Sequence, residues 1–136
     1  VGAWHHVAVS YDGRGGATAA NGIQIYIDGV AAPMVRQNSA TYVAMRNTTA
    51  PLSIGREGPS WYQFDGGMDD VRVWSVTRSA AEIAGARSTE LTGSESGLVG
   101  YWRFNGGSGT SAVNDATTGA GTLTNGVVWV GGGPLS

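Results

Sequence analysis

No cysteine and no lysine occur in these 136 residues, and there are only two histidines and four prolines. The missing cysteine excludes disulfides, thiolate catalysis and Cys-ligated zinc. All eight basic residues are arginine, so no amine is available for Schiff-base or nucleophilic chemistry. Charge is sparse as well. Charged residues make up 13% of the chain and the net charge is −2, with the arginines scattered. That leaves no electrostatic footprint for nucleic acid or an acidic membrane surface. No apolar run approaches the length of a membrane span, so no membrane insertion is expected. The chain opens at Val1 with neither an initiator Met nor a signal peptide, as expected of a processed product or an excised segment.

What is present is glycine, 23 residues of it, without a collagen-like period. Such a chain makes many tight turns. Short β-branched and aromatic runs alternate with turn clusters, the rhythm of an all-β sandwich or barrel. "WHHVAVSY" (Trp4–Tyr11) is the first strand, closed by Asp12-Gly13. "GIQIYI" alternates Ile23, Ile25 and Ile27 with Gln24 and Tyr26, and Asp28-Gly29 then supplies a type I′ hairpin turn. "PLSIGRE", "FDGGMDDVRVW", "GLVGYWRF" and "GVVWV" read as further strands. One short helix interrupts them: Ser79 and Glu82 form a capping box, and Ile83 is the residue that would dock it.

The phrases "WHHVAVSYDG", "IYIDGV", "LSIG" and "FDGGMDDVRVW…SAAEI", in that order, resemble the second half of a LamG-like jelly-roll domain. That family lies within the concanavalin A-like lectin/glucanase superfamily, with laminin G and pentraxin relatives. "GLVGYWRFNGGSGTSAVNDATTGAGTLTNGVVWV" resembles the same family's opening segment, here placed last. The expected organisation is a single module in permuted or partial order. Residues 1–87 correspond to the family's second half, 88–96 are a connection, 97–130 supply its opening strands, and 131–136 form a flexible tail. The fold expected is an antiparallel jelly-roll β-sandwich with one short helix, in which "GLVGYWRF" pairs near "MDDVRVW". The family's middle strands have no counterpart, which leaves a sheet edge for another chain to cover.

Little in the chain suggests catalysis. Glu57 lies in a turn, Glu82 is committed to a cap, and Glu90 and Glu95 sit in the connection. Asp69 and Asp70 are adjacent and face opposite sides of a strand, so no carboxylate pair suits glycoside cleavage. His5 and His6 split in the same way and read as structural. The resemblance implies structural calcium held by Asp69 and Asp115, with Asn105 as a further ligand; the alternative for Asp115 is an Asx turn. Trp4, Trp74, Trp102 and Trp129 lie in strand runs and are expected to be buried, with Trp102 a core residue. Trp61 and Tyr62, in a polar loop, are the aromatic residues placed to meet a ligand.

The expected function is therefore a non-catalytic recognition or adhesion module, extracellular or on the cell surface. A glycan is the partner the resemblance favours, with an extracellular protein as the other. The alternative is a structural self-assembly subunit of a fibre or surface array, a homo-oligomer completed by β-strand exchange.

Overall fold

The computed structural model describes residues 2–57 and 61–135, with the side chains of Glu57 and Trp61 outside that description. The chain divides into two compact units, Val1–Arg46 with Trp74–Glu90, and Asn47–Val73 with Leu91–Ser136.

In the first unit, β1 (Val7–Tyr11), β2 (Ile23–Ile27) and β3 (Val30–Ala31) form an antiparallel sheet in that order. Val7 pairs with Ile27, Ala8 with Tyr26 and Val9 with Ile25, so alternation sorts the side chains onto two faces. Ala8 and Tyr26 share one face, where Tyr26 is buried. Val7, Val9, Ile25, Ile27 and Val30 share the other. The expected hairpin turn is present: Asp28 and Gly29 have φ of 52° and 82°, the left-handed pair that a type I′ turn requires. A run of 3-10 helix over Gly16–Gly22, which the sequence did not signal, joins β1 to β2.

Helix α1 (Ala80–Ala86) starts as its capping box dictates. Ser79 Oγ accepts from the Glu82 amide at 3.3 Å, and the Glu82 carboxylate accepts from the Ser79 amide at 2.8 Å. Seven residues cannot hold a helix alone, so α1 rests on the hairpin turn. Ile83 is buried, a Cβ at Gly29 would lie 3.0 Å from Ala84 Cα, and Arg87 donates to the Asp28 carbonyl.

In the second unit, β4 (Arg56–Glu57) pairs antiparallel with β5 (Trp61–Gln63), and β8 (Ser111–Val113) with β9 (Ala120–Thr122). Strand β6 (Val71–Trp74), whose last residue belongs to the first unit, pairs with β7 (Leu98–Trp102), the partnership expected for "GLVGYWRF". Among the described residues of the second unit, Leu98, Tyr101 and Ala112 are the buried apolar side chains.

Several sequence expectations change here. Of "PLSIGRE" only Arg56–Glu57 is strand, and of "FDGGMDDVRVW" only Val71–Trp74, so Asp69 and Asp70 lie before β6 and not within it. "GVVWV" forms no strand, because Asn125 and Gly126 turn left-handed (φ 61° and 79°) immediately before it. Trp102 is half-buried, and the core position of β7 belongs to its neighbour Tyr101. Trp102 folds back over its own strand, its ring 2.7 Å from where a Cβ at Gly100 would stand and its indole nitrogen 3.5 Å from one at Gly121. The two glycines form its seat.

Candidate functional site

Tyr101 anchors the second unit. Its amide donates to Asn114 Oδ1 at 3.0 Å, and its carbonyl accepts from the Asp115 amide at 2.8 Å. The phenol oxygen accepts from the Leu91 amide at 3.1 Å and donates to the Asp70 carboxylate. Two guanidiniums flank the ring, Arg72 at 5.5 Å and Arg103 at 5.2 Å from its centroid, within cation–π range. Asp70 holds Arg72 through two contacts, one of them Nε to Oδ1 at 3.1 Å. Burial pushes the Asp70 carboxyl above the usual range, with the hydrogen bond from Arg72 opposing. Burial likewise raises the Tyr101 phenol.

The acidic residues singled out for calcium have protein partners. Asp115 receives Arg103 Nε at 3.3 Å, and Asp69 accepts from the Leu135 amide at 3.2 Å. Gly133 lies so close to the Asp69 carboxylate that a Cβ there would overlap it, so the segment expected to be a loose tail is tied down. Asn105 lies exposed beyond β7. Among the described residues no three His, Asp or Glu side chains cluster as a metal site, whereas calcium takes about six to eight oxygens. Asp69 and Asp115 each have one carboxylate oxygen engaged by a protein donor, which a calcium ion there would have to share or displace.

The histidines serve a turn. His5 Nδ1 meets Asp28 Oδ2 at 2.9 Å and the His6 amide donates to Oδ1 at 3.0 Å, holding the Asp28 carboxyl below its ordinary value.

The aromatic residues are arranged differently. Of those expected to be buried, Trp4 is exposed, and Trp74 and Trp129 are half-buried. Tyr62 is 80% exposed and has φ of 52°. The side chain of its neighbour Trp61 lies outside the described residues. Phe104, just past β7, has φ of 58°. The left-handed region costs an L-residue about 1–2 kcal/mol, and bulky side chains rarely occupy it. Phe104 faces Trp129 across 6.4 Å between centroids, the rings tilted by 56°. The Trp129 indole N–H donates to the Gly109 carbonyl at 2.7 Å, which fixes the ring by its polar edge. Both residues line an open depression of about 290 Å³. A larger hollow of about 840 Å³ is lined only by the consecutive residues 41–46, with no second element facing it.

Sequence reasoning did not bring Phe104 and Trp129 together. Their signals were two Asn-Gly steps, Asn105-Gly106 just after Phe104 and Asn125-Gly126 shortly before Trp129, each a turn that ends or prevents a strand.

Residues 1–84 match the family Laminin_G_3 of the concanavalin A-like lectin/glucanases superfamily. No curated protein matches the chain. A solved structure, that of a candidate carbohydrate-binding protein from Bacteroides ovatus ATCC 8483, matches with a TM-score of 0.62 at 24% identity. The match covers 90% of this chain but 37% of that one, so the chain spans well under half the length of this relative. Residues 1–84 could supply at most 84 of 136 positions, so the shared fold includes residues beyond the family match. On the family match over residues 1–84, the chain belongs to the Laminin_G_3 family, with the mostly antiparallel β architecture of the concanavalin A-like sandwich.

Proposed function

We propose that this chain is a non-catalytic carbohydrate-recognition module that works outside the cell or at its surface. The observation that carries the reading is the pair of bulky aromatics, Tyr62 and Phe104, held in left-handed backbone on a lectin/glucanase-type scaffold. Sugars present an apolar C–H face that stacks on exposed rings, and strained aromatic positions concentrate where ligands are held. The candidate carbohydrate-binding relative shares the fold and supports this direction. At least six of the ten carboxylates have protein partners, in keeping with a non-catalytic role: Asp12 meets Arg14, Asp28 His5, Asp70 Arg72, Glu82 Ser79, Glu95 Thr92 and Asp115 Arg103. Electrophoresis through gels containing soluble polysaccharides tests the reading. Retardation in at least one gel, without release of reducing ends, is the expected result.

A second reading rests on the sheet of the first unit. Val7, Val9 and Val30 on its apolar face are 63%, 64% and 70% exposed. A face of that kind invites cover by another copy of the chain, in keeping with a self-assembling subunit.

A further inference from the structure

We infer that the depression lined by Phe104 and Trp129 is a binding site for a single neutral sugar ring, stacked on the aromatic wall. The inference rests on the carbohydrate-recognition reading and assigns it a site of its own, separate in sequence from Tyr62. The lining consists of Phe104, Asn105, Gly107, Trp129, Val130 and Gly131. Ligand pockets run from about 300 to 1,000 Å³. At about 290 Å³, this one suits one ring and not a folded oligosaccharide. No lining residue carries a charge, so a uronic acid or sialic acid would lose water from its carboxylate with no cation to compensate. A neutral pyranose fits both features of a sugar. Its C–H face meets the rings, and its hydroxyls meet the glycine backbone.

The site is also held in shape before any ligand arrives. The Trp129 indole N–H is fixed on the Gly109 carbonyl, and the ring edge lies 3.1 Å from where a Cβ at Gly106 would stand. Any larger residue at 106 would displace the ring. Gly107 and Gly131 stand beside open space, where no heavy atom lies within 4 Å of a Cβ position. Their backbone is therefore approachable. Phe104 is placed by the left-handed step that ends β7. A fixed ring loses little freedom on binding, which favours affinity at a shallow site.

The test compares the full chain with Trp129→Ala, Gly131→Leu and Tyr62→Ala on an array of glycans ending in neutral hexoses, N-acetylated amino sugars, uronic acids and sialic acid. Gly131 lines the depression and a Cβ there meets no packed neighbour, so Gly131→Leu adds bulk to the lining and decides the matter if Trp129→Ala fails to fold. The expected result is binding to a glycan with a neutral end, at least tenfold weaker in Gly131→Leu and Trp129→Ala and retained in Tyr62→Ala. Binding kept within twofold by Gly131→Leu, or confined to acidic ends, would overturn this site and leave carbohydrate recognition standing. A wild-type chain that binds no glycan on the array would overturn both.

Discussion

The guanidinium of Arg72 lies over the ring of Tyr101, 5.5 Å from its centroid, while the carboxylate of Asp70 holds the guanidinium and accepts a hydrogen bond from the phenol. Three side chains thus satisfy one another where little of them is exposed to solvent. Tyr101→Phe removes the hydroxyl that serves both Leu91 and Asp70, and should cost about 1–2 kcal/mol. Tyr101→Ala should cost about 3–5 kcal/mol, the range for emptying an aromatic core site. Urea denaturation of the two variants measures both. A neutral Tyr101→Phe would mean that the hydroxyl contributes nothing to the core.

The adjacent Trp102 should behave in the opposite way. Its indole N–H is shielded from solvent and has no hydrogen-bond partner among the described residues, so removing it relieves a polar group that burial penalises. Trp102→Phe should therefore stay within about 1 kcal/mol of wild type. A loss larger than that of Tyr101→Phe would show that the indole has a partner.

The helix start gives a prediction in pH. The Ser79 amide, bonded to the Glu82 carboxylate, holds this carboxyl below its ordinary value of 4.5. A depressed folded value means that the stability it contributes is present above 4.5 and lost as the pH falls through the lower folded value. Glu82→Gln should remove that part of the acid dependence, seen as a shallower fall in Tm from about pH 6 to about pH 3. Ser79→Ala should cost about 1 kcal/mol at neutral pH through loss of the cap. An unchanged acid profile in Glu82→Gln would show that the box does not persist in solution.

Asp69 separates a backbone tie from a metal ligand. Because it accepts from Leu135, Asp69→Ala should loosen the C-terminal segment equally with calcium and with chelator present. Amide hydrogen exchange at Leu135 reports this directly. A wild-type Tm that rises with calcium, and a variant that does not respond, would instead place a cation on Asp69.

The elements legible in the sequence were those fixed by local chemistry. Asp28-Gly29 can make few turns other than type I′, and Ser79 with Glu82 can cap a helix wherever the chain starts one. What was not legible depended on packing. Tyr101 and Trp102 are adjacent aromatics in one strand, and it is partners distant in sequence, Asp70, Arg72, Leu91 and Asn114 among them, that hold Tyr101 in the core. The resemblance implied metal ligands at Asp69 and Asp115, but it could not show the protein partners at one oxygen of each, Leu135 and Arg103. Trp129 read as a strand residue because β-propensity hides the effect of the left-handed Asn125.

The apolar face of the first sheet yields a prediction about assembly. If another copy covers Val7, Val9 and Val30, the wild-type mass in solution should exceed that of one chain, and Val9→Lys should return it to a monomer. Equal, monomeric masses for both would end the self-assembly reading.

Carbohydrate recognition through the aromatic residues of the second unit is tested most directly by NMR of the five tryptophan indole N–H groups during titration with neutral oligosaccharides. The account predicts a saturable shift of the Trp129 resonance, with that of Trp102, seated between two glycines, unmoved. Spectra in which no resonance responds to any of the sugars would contradict it.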